Sequence, residues 1–468
     1  MGSSAWSHDT VSTQGRMIEL AFSQGSEPAF IVRQQGDETT LTWESLLRAS
    51  VTFARSFESA GVRRGDTVLL CLAHTPAQYP AFLGLMLLGA IPGFLAIPSV
   101  KQDPQLYWSA HEILLWRVRP AVVVTYERNF DALAAVAPPE STVIVLSGVT
   151  EATGPLDQLV SSYLPPHPDD VAILQHSSGT TGLKKGVALT HRQIAAQVDS
   201  FATALSIGPD DSISSWLPVY HDMGLLSALL GSIRLGMKVV SLDPFEWVAD
   251  PHMLLESVDR HQSTIVYLPN FAFSHLVRTK QGDESYQLGH MRVFINGSEP
   301  CKPETFDRFV QAFEPHGVRR DQLIMGYGLA EAVMMVSIVR PKHRPREIHL
   351  STEALAREIA VPVLPGPDAM VHLSAGPPID DVDVRIDAPP SEEGSPVGEI
   401  QLRGPFVFSG YNMDPEATAK AFDGAPTTCM RCGPALSRIP ISSTSRISPA
   451  ACAPTTSPIP FVRWKWRT

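Results

Sequence analysis

The sequence predicts an α/β protein built on parallel sheet, and three observations carry that expectation. Short apolar runs alternate with helix-like stretches from residue 17 to about 100 and again over 186–345, the pattern of strands joined by crossover helices. The apolar fraction is 44% of 468 residues, enough core for two or three domains of ~150 residues each. Residues 382–386 and 398–404 alternate with period two, so 346–424 reads as a smaller β-rich part.

The elements follow in order. Leu41-Thr42-Trp43-Glu44 opens a helix, and the turn Gly61-Val62-Arg63-Arg64-Gly65-Asp66 leads into a strand over 67–72. The longest apolar stretch, 81–97, contains Pro92 and Gly84, Gly89 and Gly93. It is too short and interrupted to span a membrane and reads as a buried helix followed by a strand. Further strands are expected over 121–125 and 142–146, then a Pro- and Asp-containing connector over 147–170. Val171-Ala172-Ile173-Leu174 and Gly186-Val187-Ala188-Leu189 read as the two arms of a hairpin-like turn, and Thr190 with Gln193 forms a capping pair for the next helix. Strands follow over 238–242, 263–268 and 293–295, then the half-exposed 382–386 and 398–404. Asp414-Pro415-Glu416 places proline at the first position of a helix reaching about Phe422.

After Gly424 the character changes. Residues 425–468 hold nineteen Ser, Thr or Pro and six basic residues, with no acid and no periodicity, so this stretch is expected as a disordered tail. Residues 1–16 are a polar N-terminal tail with no secretory pattern. Cysteines at 71, 301, 429, 432 and 452 make no disulfide framework, and the lone Cys429-Met430-Arg431-Cys432 lacks a partner pair. A cytoplasmic location is expected. The net charge of −11 argues against a nucleic-acid binder, which relies on neutralising phosphates.

Ser177-Ser178-Gly179-Thr180-Thr181-Gly182-Leu183-Lys184-Lys185-Gly186 lies between the hairpin arms. Its glycines, hydroxyls and lysines suit a backbone cradle for phosphate oxygens with an added cation. It is not a Walker loop, which runs straight into a helix. Taken alone it is a glycine-rich turn. Pro218-Val219-Tyr220-His221-Asp222-Met223-Gly224 sets a histidine beside a carboxylate, a pair that serves catalysis, metal binding or structure. Asn296-Gly297-Ser298-Glu299-Pro300 follows a strand, where open α/β sheets bind ligands. Met325-Gly326-Tyr327-Gly328-Leu329-Ala330-Glu331 offers an aromatic face for a purine and a hard oxygen ligand for Mg²⁺.

In this order, these motifs resemble the adenylate-forming superfamily over roughly residues 17–424: acyl-CoA synthetases, fatty acyl-AMP ligases, luciferases and peptide-synthetase adenylation domains. His-Asp-Met-Gly at 221–224 is most similar to fatty acyl-AMP ligases and long-chain enzymes. The resemblance implies the large N-terminal domain of such enzymes, with two α/β sheet subdomains and a smaller distorted β-barrel. It implies ATP and Mg²⁺ as cofactors and activation of a fatty acid to acyl-adenylate with release of pyrophosphate, for lipid, polyketide or lipopeptide biosynthesis. Ser177, Ser178, Gly179, Thr180, Thr181, Gly182 and Lys185 would hold phosphates. Asn296, Gly297, Ser298, Glu299, Pro300, Tyr327, Gly328, Leu329 and Ala330 would form the adenine pocket. Thr180 and Glu331 would serve the metal. His221, Asp222, Met223 and Gly224 would line the acyl site, and Lys185, His221 and Glu331 would be catalytic. The stretch 351–376 resembles the extra segment that distinguishes fatty acyl-AMP ligases from acyl-CoA synthetases. An acyl carrier protein or a polyketide or peptide synthase is the implied acceptor.

The resemblance stops after Phe422-Asp423-Gly424. The family's Thr-Gly-Asp turn, hinge and small C-terminal domain with its catalytic lysine are not recognisable, and Lys465 in Trp464-Lys465-Trp466 does not fit that role. The expectation is a tail read out of frame and weakened turnover. An acyl-CoA synthetase, an amino-acid adenylation domain and a catalytically dead remnant or scaffold stay open.

Overall fold

The computed structural model describes residues 11–98, 102–146, 148–176, 185–282 and 285–422, with the backbone of 430–432 and 461–462. The glycine-rich loop over 177–184 and the side chains of Cys429, Cys432 and Cys452 lie outside the described residues. Two compact units divide the chain. The first comprises Met1–Val198, Ile207–Ser263 and Gly410–Asp414, and the second Asp199–Ser206, Thr264–Ser409 and Pro415–Thr468.

Among the described residues, the first unit holds ten strands: β1 (Pro28–Gln34), β2 (Asp37–Thr42), β3 (Thr67–Leu70), β4 (Ile91–Phe94), β5 (Val122–Thr125), β6 (Thr142–Val145), β7 (Val171–His176), β8 (Gly186–Thr190), β9 (Ser212–Ser215) and β10 (Lys238–Leu242). Strands β4-β3-β5-β6 form a parallel sheet in that order. Its central strands are uninterrupted apolar runs, as strands covered on both faces must be: Val68, Leu69 and Leu70 of β3 and Val122, Val123 and Val124 of β5 are all buried. Leu114, Leu115 and Val118 from the helix Pro104–Val118 close one side of that core. Elsewhere β1 pairs parallel with β10 and β10 with β9, while β2 returns antiparallel on β1. The expected helix over 81–97 is Gln78–Leu88, followed by β4.

The β7–β8 hairpin is antiparallel, with His176 opposite Gly186 at its loop end. The helix His191–Leu205 begins behind it. Thr190 Oγ1 accepts the Gln193 N–H at 3.2 Å and the Gln193 amide oxygen accepts the Thr190 N–H at 2.9 Å. This reciprocal cap is the one read from sequence.

The second unit continues with β11 (Ile265–Leu268), β12 (Val293–Asn296), β13 (Leu323–Gly328) and β14 (Met335–Ile338). The first three are parallel neighbours, and β14 turns back antiparallel on β13. Six further strands make the β-rich part: β15 (Glu347–Ser351), β16 (Ile359–Ala360), β17 (Ala369–Leu373), β18 (Asp383–Asp387), β19 (Ser395–Pro396) and β20 (Glu399–Arg403). They pair as β15–β17, β16–β19 and β18–β20, all antiparallel. Within the stretch 351–376, Leu355 and Ala360 pack with Leu350 into a small core of their own. Met430–Cys432 and Phe461–Val462 also pair antiparallel with β20.

One strand departs from the expected alternation. Ile400, Gln401 and Leu402 of β20 are all buried. Gln401 is tolerated there because its amide oxygen accepts the Nε–H of Arg385 from β18 at 2.7 Å, which satisfies part of a polar group that burial alone would penalise.

The reciprocal cap gives the first test. Thr190→Ala should cost about 1 kcal/mol of stability, measured as a lower urea midpoint at unchanged m-value. An unchanged midpoint would show that the cap is idle.

Candidate active site

In the first unit, Trp216 ends the run from β9, and its indole stacks on Trp247 with ring centroids 3.7 Å apart and planes at 5°. The chain then turns, with His221 N–H donating to the Pro218 carbonyl at 3.0 Å. Asp222 Oδ1 accepts the Met223 N–H at 2.7 Å and lies 2.7 Å from His221 Nδ1. Asp222 thereby both caps the following helix and fixes the orientation of the imidazole. Burial alone would raise the Asp222 carboxyl, but the charge and hydrogen bond of His221 and the Met223 N–H outweigh it. They hold the carboxyl below the usual carboxylate range.

The helix Met223–Leu230 is a π-helix, a rare form that concentrates at functional sites. Its start is tightly packed: a Cβ on Gly224 would stand 2.3 Å from the Pro218 carbonyl oxygen, so no side chain fits there. The segment 217–220, just before His221, walls a mostly apolar cavity with Tyr79, Phe94 and Phe245. Two polar groups interrupt that wall, His74 and Gln78, joined by a 3.1 Å contact between Nδ1 and Nε2. Burial lowers the His74 pKa and favours its neutral form. Lys185, the one residue of the glycine-rich loop within the described set besides Gly186, is half-buried at the head of β8. Its Nζ stands 4.6 Å from the centroid of the Tyr411 ring.

In the second unit the expected purine residues leave the ends of two paired strands, β12 and β13, with Asn296 opposite Met325. Asn296 is fully buried and its Nδ2 donates to Cys301 Sγ at 3.2 Å. Gly297 is buried, and Ser298 adopts φ +72°, uncommon for a residue with a side chain. Glu299 Oε1 accepts the Phe271 N–H at 2.5 Å. Phe271 is in the first turn of the helix Asn270–Thr279, where N–H groups lack intrahelical partners, so the Glu299 carboxylate anchors the turn. Burial pushes the Cys301 thiol up to about 12, which leaves it un-ionised and unreactive near neutral pH.

Tyr327 is half-buried near the end of β13, opposite Ser337 of β14. The glycine after it has a structural reason independent of any ligand. A Cβ on Gly328 would fall 1.6 Å from the Met334 carbonyl oxygen. Glu331 is 1% exposed in a single 3₁₀ turn, Ala330–Ala332, and its carbonyl accepts the Phe408 N–H at 2.7 Å. Val333, which follows, has φ 64° and ψ −62°, and Met334 N–H donates to the Ala332 carbonyl at 2.8 Å. That is a three-residue γ-turn in its strained form, held by a buried β-branched residue directly after the acid.

Within each unit, then, the sequence-expected residues gather. His221, Asp222, Met223 and Gly224 share one turn; Asn296 to Pro300 and Tyr327 to Glu331 leave adjacent strand ends. Ser177, Ser178, Gly179, Thr180, Thr181 and Gly182 lie outside the described residues. Among the described residues, no group of three or more His, Cys, Asp or Glu is arranged to hold a metal ion. A lone carboxylate such as Glu331 suits Mg²⁺ only when the remaining ligands are substrate phosphates and water. Among the described residues no helix is long and apolar enough to cross a membrane. Sequence reasoning did not single out the ring of Tyr411, which pairs with Lys185 from more than two hundred positions away.

Parallel α/β sheets with turns at their carboxyl ends, a β-rich part, and an acid-bearing turn after a Gly-Tyr-Gly strand end are the arrangement that the resemblance to adenylate-forming enzymes implies. Residues 20–412 match the family described as AMP-binding enzyme, and the chain belongs to that family, within the adenylate-forming superfamily. Among its relatives is a medium-chain-fatty-acid–[acyl-carrier-protein] ligase, JamA, of Moorena producens. It is 29% identical over 423 residues, covering 85% of this chain and 69% of the relative. A putative acyl-CoA synthetase of Caulobacter vibrioides is 30% identical over 402 residues, covering 82% and 68%. A fatty acyl-adenylate ligase of L. pneumophila, solved with acyl adenylate and pyrophosphate, superposes with a TM-score of 0.80. It is 26% identical, over 92% of this chain and 75% of that one.

Two tests follow from the histidine turn. Gly224→Ala should lose about 1–3 kcal/mol through overpacking, seen in the urea midpoint; wild-type stability would mean the turn can open. A carboxylate whose pKa is lower folded than unfolded stabilises the fold above its unfolded value, and that contribution vanishes as pH falls through the depressed one. The midpoint of the wild type should therefore exceed that of Asp222→Asn near neutrality, with the gap closing below about pH 4. A gap that does not change with pH would rule out the charged pair.

Proposed function

We propose that this chain activates a fatty acid with ATP. A carboxylate oxygen of the acid attacks the α-phosphorus, the bond to the β-phosphate oxygen breaks, and acyl-AMP and pyrophosphate result. The observation that carries the reading is the His221–Asp222 pair at the end of the segment walling an apolar cavity, in a chain whose family match spans residues 20–412. An acid head group would sit at the imidazole; the cavity beside it, about 20 Å³, has room for little more than a water molecule, so a hydrocarbon chain would enter only if Tyr79, Phe94 or Phe245 moved aside.

The residues divide the work by charge and shape. Lys185 would offset phosphate charge, with the hydroxyls of Thr180 and Thr181 beside it in sequence. Glu331 would hold the Mg²⁺ that accompanies ATP and neutralises its phosphates. Tyr327 would lie against the adenine, and the turn from Asn296 to Pro300 would present backbone groups to the ring edge. Asp222 would keep the His221 imidazole oriented toward the substrate carboxylate. Such preorganised charge is the main catalytic resource for transfer at phosphorus.

The acceptor we favour is an acyl carrier protein, as named for the Moorena relative, with the stretch 351–376 resembling a segment that disfavours CoA transfer. Residues 425–468 contain one lysine, Lys465, in a context unlike the family's catalytic lysine.

Purified chain incubated with MgATP and medium- to long-chain fatty acids should give acyl-AMP detectable by mass spectrometry. Lys185→Ala and Glu331→Gln should each lower its formation by about 10²–10³-fold. Amino-acid-dependent pyrophosphate exchange without fatty-acid activation would assign the chain to another substrate class. Equal transfer to CoA and to carrier protein would remove the acceptor preference. No acyl-AMP at any enzyme concentration would leave a binding scaffold.

A further inference from the structure

Tyr411 lies in the short segment Gly410–Asp414 that belongs to the first unit although its sequence neighbours belong to the second. Its backbone continues the β7–β8 hairpin. Val187 pairs antiparallel with Tyr411, and the Asn412 N–H donates to the Gly186 carbonyl at 2.7 Å. The residue is 6% exposed, so its ring is held by packing as well as by backbone. Lys185 is joined directly to the first residue of β8. The main-chain contacts that place Tyr411 against Gly186 and Val187 therefore also place its ring under the Lys185 ammonium, at 4.6 Å from the centroid.

This partner does something a carboxylate cannot. A cation within about 6 Å of a ring face is attracted by the ring quadrupole. The ring neither neutralises the charge nor takes up the N–H donors, and lysine has three donors and no acceptor. Lysine also has a flexible four-carbon stem, whose ordering at the moment of binding costs affinity unless it is ordered beforehand.

We propose that Tyr411 is a positioning residue for Lys185. Its ring holds the ammonium at the head of β8 with donors available to phosphate oxygens of the nucleotide. The proposal rests on the reading of Lys185 as a phosphate ligand. The ring face carries the effect, and the phenolic hydroxyl does not.

The test is MgATP binding to the full chain by calorimetry, which needs no turnover. Tyr411→Leu should weaken binding about 3- to 30-fold, and Tyr411→Phe should stay within about twofold of wild type. Because Tyr411→Leu removes a buried ring and could unfold the hairpin, a second measurement uses the wild type alone. After ¹³C reductive methylation, which keeps lysines charged, the Lys185 resonance is identified by its loss in Lys185→Arg. It should be displaced upfield by the ring current and should move when MgATP is added. A Lys185 resonance at the position of exposed lysines overturns the proposal. So does a folded Tyr411→Leu that binds like wild type, or a Tyr411→Phe as weak as Tyr411→Leu. Wild-type protein that binds no MgATP overturns the nucleotide reading and the proposal together. Normal wild-type binding with an indifferent Tyr411→Leu overturns the positioning role alone.

Discussion

The register of the parallel strands in the second unit is the constraint on which the placement of its turns depends. Leu268 stands opposite Asn296, and Asn296 opposite Met325. β11 and β12 end at a common level and β13 runs on three residues past Met325 to Gly328, so the turns that follow leave the same carboxyl-terminal edge at staggered heights, where open sheets bind ligands. Shifting β12 by one residue would exchange its two faces, bringing the Asn296 amide out of the core and carrying Ser298 and Glu299 out of place. The carboxylate of Glu299 on the Phe271 N–H ties the turn after β12 to the helix after β11. The edge is therefore cross-braced by a side chain as well as by the ladder.

The first unit solves a different problem with a different device. A polar imidazole has to be placed at the end of a segment that is otherwise apolar and tightly packed. Asp222 resolves the conflict by serving two N–H or N-bearing partners, the helix start at Met223 and the imidazole of His221. Even a partly buried carboxylate is costly unless paired and hydrogen-bonded, and here both conditions are met locally. Gly224 then lets the π-helix begin against the Pro218 carbonyl with no side chain between them.

Much of this was legible in sequence because the signals are local. The cap at Thr190 and Gln193 is a three-residue spacing, β10 is a continuous apolar run, and the ligand-type turns follow strands directly. What escaped the sequence is set by distant partners. The burial of Gln401 depends on Arg385 in the neighbouring strand. The π-helical form of Met-Gly-Leu-Leu-Ser-Ala-Leu-Leu has no periodic signature, since seven of its eight residues are apolar or glycine and any helix would bury them. The glycine after Tyr327 reads as an allowance for a ligand, yet the approach of β14 already requires it. Tyr411 carries no local mark at all: its place beside Lys185 comes from a strand pairing across most of the chain.

That pairing has a consequence for the birth of the molecule. On the ribosome, Val187 emerges long before Tyr411, its partner on the far edge of the hairpin. Roughly 220 residues of synthesis, or about 10–45 s at bacterial and eukaryotic elongation rates, separate the two. During that interval the outer edge of β8 presents unpaired backbone groups, an invitation to wrong strands. The first unit can collapse early around its parallel sheet, but its hairpin acquires its last neighbour only when nearly the whole chain has been made.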